Sequence, residues 1–175
     1  MPARERSEPL AMNPTSLELE SDREIVIRRA FNGPARIVFD AWTRPDLVRR
    51  WWAPRSRGVS VIGCDASVRV GGGYRYVLRL DRGGEFAFSG RYTEITPHTR
   101  LVYTQVFEPT ASGASPGDSE VVITVTFDER DGKTHMVSRS LCPSKHVRDA
   151  IIASGMEHGM RETMDQLDEL VGTLA

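Results

Sequence analysis

Hydrophobic positions between Ser144 and Leu174 recur at helical spacing. At about 100° per residue, Ile152, Met156, Met160, Met164, Leu167, Leu170, Val171 and Leu174 fall in one stripe roughly 120° wide. Glu157, His158, Arg161, Glu162, Asp165, Asp168 and Glu169 fall on the opposite side. This partition predicts an amphipathic helix long enough to cross a small domain. Val147 and Ile151 lie out of phase, so a bend near Ser154-Gly155 is expected, or separate packing of the first turns, with the stripe proper starting at about Ile152. Gly155 and Gly159 sit on its margin, and a glycine inside a helix costs on the order of 1 kcal/mol relative to alanine. Something is expected to pack close there. Two readings stand side by side: a core helix over a sheet, or the lid of an internal apolar cavity, a role suited to adaptable methionine side chains.

Upstream the pattern changes from helical to alternating. Residues 1–22 carry Pro2, Pro9 and Pro14 without periodicity and are expected to form a disordered leader, with Met12 as an alternative start. Order is expected from Arg23, where REIVIRRAF reads as a strand. Asn32-Gly33-Pro34 ends it and opens a short helix over ARIVFDAWT, with Pro34 as its first residue. A second short helix, PDLVRRWW, follows Thr43, the expected cap, and carries Pro45 in its first turn. From Gly58 to Cys142 the chain reads as about six strands: VSVIGCDAS, YRYVLRL, EFAFSGRYTEI, RLVYTQVF, VVITVTF and THMVSRSLC. Asp81-Arg82-Gly83-Gly84 and Asp131-Gly132 are hairpin signals, and EPTASGASPGDS is a long loop. Ser144 is the expected N-cap of the terminal helix.

Strands joined by tight turns imply an antiparallel sheet, and one long helix is available to cover one of its faces. A curved sheet around a single helix leaves room for a cavity lined by inward side chains, and Gly71–Gly73 and Gly90 would help the strands bend. The fold class is therefore α+β. A length of 175 residues suits one domain, 23–175, with a tail, and a net charge of -1 gives no basic excess for nucleic acid. No run approaches the ~18–20 apolar residues of a membrane span, and no secretory h-region opens the chain. Cys64 and Cys142 have no metal-ligand spacing and read as free thiols in a reduced cytoplasm, though a disulfide stays open. A cytoplasmic protein is expected.

Three stretches carry a resemblance. REIVIRRAFNGPARIVFDAWTRPDLVRRWWAP, VGGGYRYVLR and SGMEHGMRETMDQLDELV occur in an order that resembles the START-like (SRPBCC) superfamily. More narrowly, the chain is similar to bacterial homologues of the activator of the heat shock protein 90 ATPase, over roughly residues 23–173. The resemblance implies a helix-grip fold, β-α-α-β6-α, around a deep hydrophobic pocket. Members of the superfamily bind lipids, sterols or polyketides, and a few act as cyclases or aromatases. Fold alone does not assign the function.

The candidate chemistry is a binding wall more than a reaction centre. Of the four histidines, His158 lies opposite the methionine stripe, and His98 and His146 read as solvated. On the last strand, alternation separates Met136, Ser138 and Ser140 from His135, Val137, Arg139 and Leu141. The family pattern favours the Met136 set as inward. Trp42, Trp51 and Trp52 are placed at the pocket mouth by the resemblance, and only one of Trp51 and Trp52 can point inward. Tyr74, Tyr76 and Tyr92 are the preferred wall contacts, because a buried hydroxyl needs a partner; Phe86 and Phe88 are weaker ones. The expected ligand-binding set is Trp51, Tyr74, Tyr76, Phe88, Tyr92, Met136, Ser138, Met156, Met160 and Met164. Gly71-Gly72-Gly73 precedes a strand and not a helix, so it makes no phosphate cradle. No cofactor, metal or catalytic constellation is expected. The first hypothesis is binding of a small hydrophobic or amphipathic ligand. The second is a co-chaperone-type module acting on a chaperone ATPase. The third is a cyclase-like enzyme using His135 or Tyr92 as acid or base. Pairing with a second copy is left open.

Overall fold

The alternating segments form strands and the 3.6-period segments form helices, in a computed structural model that describes residues 13–109 and 119–175. In chain order the elements are β1 (Thr15–Ser21), β2 (Glu24–Phe31), α1 (Ala35–Thr43), α2 (Pro45–Val48) and a 3₁₀ turn (Arg55–Arg57). There follow β3 (Val59–Ala66), β4 (Gly73–Leu80), β5 (Glu85–Thr96), β6 (Arg100–Glu108), β7 (Val121–Arg130) and β8 (Lys133–Leu141), then α3 (Lys145–Ala153) and α4 (Met156–Leu174). The strands make one eight-stranded sheet in the order β1-β2-β8-β7-β6-β5-β4-β3, antiparallel at every step. Asp131 and Gly132, with φ of 52° and 75°, close the β7–β8 hairpin as the sequence predicted.

One strand lies where a leader was expected. TSLELES alternates Leu17 and Leu19 with Glu18 and Glu20, and it pairs with β2 from Thr15↔Arg29 to Ser21↔Glu24. Leu17 packs on the core, and Arg161 of α4 donates to the Thr15 carbonyl. Order thus begins before Arg23; residues 1–12 and most of the expected long loop, 110–118, lie outside the described residues.

The terminal helix is two helices. Ser144 caps α3 by accepting from the Val147 amide at 3.1 Å. Gly155 then takes a left-handed conformation at φ 78° and opens α4. A Cβ at Gly155 would meet nothing within 4 Å, so this glycine serves the turn and not a close neighbour. Gly159 does have one, since its Cβ position lies 3.5 Å from Pro54 Cγ.

Register fixes which side chains face inward. Met136 sits between Phe127 and Arg29, and Ser138 between Val125 and Ile27, so the Met136 set is the inner one. Arg139 points outward to Glu20 at 2.6 Å and Glu24 at 3.3 Å. The concave face is covered in two halves. Over β2, β7 and β8, helices α1 and α4 bury Ile25, Phe31, Val38, Val125, Met136, Leu167 and Val171. Over β3–β5, the stretch around α2 buries Val48, Ala53, Val59, Tyr74, Tyr76, Leu78 and Tyr92. Trp52, Ile95 and Tyr103 touch both clusters.

The polar face of α4 is not wholly solvated. Arg29 projects inward from β2 and pairs with Asp168 at 2.9 Å and Asp165 at 2.7 Å. The Asp168 side chain is only 6% exposed, while that of Asp165 is 44% exposed. The helix therefore grips the sheet with a buried ion pair beside its apolar stripe.

Candidate functional site: an aromatic enclosure on β4–β6

Three neighbouring strands and the stretch from α1 to the 3₁₀ turn bring aromatic rings around one small space. Tyr74 and Tyr76 come from β4, Tyr92 from β5, Tyr103 and Gln105 from β6, Trp42 from α1, and Trp52 from the segment after α2. The cavity they enclose has a volume of about 10 Å³, room for about one water molecule. All four tyrosines of the chain meet here. Their rings lie 4.9 Å apart for Tyr74–Tyr76, 5.6 Å for Tyr74–Tyr92 and 6.1 Å for Tyr92–Tyr103.

The bend that makes this wall has a local cause. At Gly90, opposite Tyr74, an added Cβ would stand 1.7 Å from the Thr104 carbonyl oxygen and 2.9 Å from Tyr74 Cε1. Only glycine lets β5 and β6 approach there while the Tyr74 ring lies across the gap.

The polar groups are partly committed. The Tyr74 hydroxyl donates to the Thr104 carbonyl at 2.8 Å and lies 3.1 Å from Gln105 Oε1. Trp42 Nε1 donates to the Tyr103 hydroxyl at 3.4 Å. The Tyr103 proton and the Gln105 amide nitrogen have no acceptor among the described residues. Burial pushes every one of these tyrosines above the usual phenol range. For Tyr74 and Tyr76 neighbouring tyrosines add to the effect, whereas hydrogen bonds with Tyr76 and Trp42 partly oppose it at Tyr92 and Tyr103 respectively. Cys64, opposite Tyr76 on β3, is raised by burial to about 11, with Arg49 partly offsetting. The enclosure is thus an apolar box with neutral hydroxyl groups. It presents donors for an oxygen acceptor and holds no charged lining residue.

The segment bearing Trp52 is pinned to α4. Gln166 Nε2 donates to the carbonyls of Trp51 at 2.9 Å and Ala53 at 2.8 Å. Its Oε1 accepts from the Arg55 backbone amide at 3.2 Å. One turn earlier, Glu162 accepts from the Ser56 amide and hydroxyl, both at 2.7 Å.

This chain matches the family model described as Activator of Hsp90 ATPase homolog 1-like protein over residues 32–172. It belongs to that family. Solved structures agree on the START-like helix-grip fold. A Rhodobacter sphaeroides protein is 22% identical with a TM-score of 0.81, covering 91% of this chain and 99% of its own. A Staphylococcus epidermidis protein is 27% identical at 0.73, covering 91% and 95%. Protein Ms6760 of Mycobacterium smegmatis is 20% identical at 0.79, covering 90% and 97%. No curated protein matches the chain. Family and fold together are those of a ligand-binding or co-chaperone-type module.

In this family member the expected site residues divide between the two halves of the concave face. Tyr74, Tyr76 and Tyr92 line the cavity. Phe88 stands at its rim, 4.9 Å from Trp52 and 5.3 Å from Phe107. Trp51 turns the other way, is 3% exposed, and donates from Nε1 to the Ala41 carbonyl at 2.8 Å. Trp52, and not Trp51, is the cavity wall. Met136 and Met164 are buried in the α1–α4 core, Met156 and Met160 pack against that core, and Ser138 is buried on β8 beside Ile27. None of these borders the enclosure. The reason is the width of the sheet: α4 lies over β1 and β2 and against α1, strands away from the tyrosines. Tyr103 and Gln105 are members that sequence reasoning missed. Their signal was the shared phase of Leu101, Tyr103, Gln105 and Phe107 in RLVYTQVF.

The histidines stay outside. His135 faces away from the concave side, and His98, His146 and His158 are exposed. Among the described residues no cluster of three potential ligands could hold a metal ion, and no helix is long and apolar enough to cross a membrane. Cys64 and Cys142 are free thiols.

Proposed function

We propose that the chain binds a small hydrophobic or amphipathic molecule, of lipid, sterol or polyketide-like character, in the aromatic enclosure on β4–β6. The observation that carries this reading is the convergence of four neutral tyrosines, two tryptophans and Gln105 on one space. Aromatic walls supply dispersion and apolar area, and the Tyr103 hydroxyl and Gln105 amide supply donors for a carbonyl, ether or hydroxyl oxygen of the ligand. The test is a fluorescence titration with the neutral apolar probe N-phenyl-1-naphthylamine, followed by displacement with lipids, sterols and aromatic polyketides. Saturable probe binding is expected, and oxygen-bearing competitors should bind Tyr103→Phe more weakly by about 0.5–1.5 kcal/mol, the worth of one hydrogen bond. Absence of saturable binding across the panel would sink the proposal.

A second reading, a module that stimulates a chaperone ATPase, draws on the family's description and on Phe107, which is 49% exposed beside Phe86 and Phe88. It predicts that the chain raises the ATPase rate of a bacterial heat shock protein 90 and that Phe107→Ser removes the effect. An unchanged rate with added chain counts against it.

A further inference from the structure

We propose that the Trp52 indole is the movable wall of this cavity, and that Gln166 is the positioning residue that keeps its backbone fixed while the indole turns. The inference rests on reading the enclosure as a binding site, and it says how a ligand gets in. A space of about 10 Å³ admits no organic molecule, whereas ligand pockets run to roughly 300–1,000 Å³. Some wall must therefore move.

The walls are unequal. Tyr74, Tyr76, Tyr92, Tyr103 and Gln105 stand on strands that are each paired on both sides. Trp42 is tied to Tyr103 through its indole nitrogen, and its ring lies 5.0 Å from Trp51 and 6.1 Å from Phe127. Trp52 stands on no strand and makes no such indole bond, so packing alone holds its ring. It follows a four-residue helix, and its indole nitrogen has no hydrogen-bond partner among the described residues. Its half-buried ring meets Tyr76 at 5.2 Å and Phe88 at 4.9 Å, both at steep angles. Beyond it Phe86, Phe88 and Phe107 form a partly exposed aromatic ridge, an apolar approach to the door.

The backbone around Trp52 is held by hydrogen bonds, whereas its ring is held by packing alone. Gln166, itself buried at 7% exposure, holds the carbonyls immediately before and after Trp52 with one amide group. Trp51 is locked into the core by its own hydrogen bond to Ala41. Opening is therefore a side-chain rotation at Trp52. Displacement of the segment would break both Gln166 contacts and the Glu162–Ser56 pair as well.

The test uses the full chain labelled with 5-fluorotryptophan, whose three ¹⁹F resonances are assigned by single Trp→Phe substitutions. Microsecond-to-millisecond exchange is expected on the Trp52 line alone, and the Trp51 line should join it in Gln166→Leu. A Gln166→Leu chain that loses thermal stability while the Trp51 line stays sharp overturns the positioning role. Stopped-flow mixing with N-phenyl-1-naphthylamine reads the door itself. If the open state is populated at about 0.1–10%, Trp52→Ala should associate roughly ten- to a thousandfold faster than the natural chain, with Trp52→Phe in between. Equal association rates, with saturable binding in both, overturn the gate and leave the cavity reading standing. No probe binding in any form overturns the cavity reading and the gate with it.

Discussion

Arg29→Met removes the cation that ties β2 to α4 and leaves its partner behind. In the native chain Arg29 donates to Asp168 Oδ2 at 2.9 Å and, from its other terminal nitrogen, to Asp165 and Thr15, each at 2.7 Å. The side chains of Arg29 and Asp168 are 1% and 6% exposed. Asp165, 44% exposed, can turn to water and contributes within the ~0–1 kcal/mol of a surface pair. Asp168 cannot do so without moving the helix. Among the described residues its only other hydrogen bond comes from the Asn32 backbone amide at 3.4 Å. Removing one member of a buried pair costs about 3–5 kcal/mol, chiefly because the other is stranded. At ~2–4 °C per kcal/mol for a domain of this size, the Tm should fall by roughly 6–20 °C. Urea denaturation of Arg29→Met, Asp168→Leu and the double variant forms the assay. The double variant should recover much of the loss, since an apolar pair of similar volume is often as stable as a buried ion pair, and Arg29 Nε is already buried without a hydrogen-bond partner among the described residues. An Arg29→Met cost below about 1 kcal/mol, or a double variant whose loss equals the sum of the singles, would refute the reasoning.

Three further outcomes follow from particular residues. Gly90→Ala should cost at the upper end of the ~1–3 kcal/mol of overpacking or beyond, because the added methyl meets the Thr104 backbone oxygen at 1.7 Å; a urea midpoint within error of the natural chain contradicts this. Gly155→Ala should cost about 1–2 kcal/mol for the left-handed conformation alone, with the helical circular dichroism retained, since no atom lies within 4 Å; a stabilised variant would argue against the break between α3 and α4. Tyrosinate absorbance near 295 nm should stay absent from the folded chain as pH rises past 10, the ordinary phenol value, and appear only on unfolding. The sign follows from linkage. The folded values are raised, so the contribution is complete below the unfolded value near 10 and is lost as pH climbs above it. Unfolding free energy should therefore fall above pH 10, and a smooth four-tyrosine titration in the folded chain would contradict the burial.

Much of the fold was legible because periodicity reports burial directly. The run of strands, the hairpin at Asp131-Gly132, the Ser144 cap and the bend at Gly155 are local signals, and each sits where its residues put it. Strand β1 was legible too, in the alternation of Leu17 and Leu19, but the polar, proline-containing flank obscured it. The site was harder to read. The methionine stripe shows which face of α4 is buried and is silent on which strands lie beneath it; that depends on sheet order, a long-range property. Hence Met160 and Met164 join one core, while Tyr74 and Tyr92 line a cavity in the other half. The same limit hid the buried ion pair. Arg29 and Asp168 are 139 residues apart, and each alone reads as solvated. Gln166, equally, looks like a surface helix residue until the carbonyls around Trp52 are seen against it.

The tyrosine enclosure, and not the methionine face of α4, is the proposed seat of the ligand. Side-chain NMR spectra of the full chain, with tyrosine, tryptophan and methionine labelled and N-phenyl-1-naphthylamine titrated in, test it most directly. Saturable shifts are expected at Tyr74, Tyr76, Tyr92, Tyr103, Trp42 and Trp52, with the methyl signals of Met136 and Met164 unmoved. Shifts centred on Met156, Met160 and Met164, with the tyrosines unchanged, would contradict it.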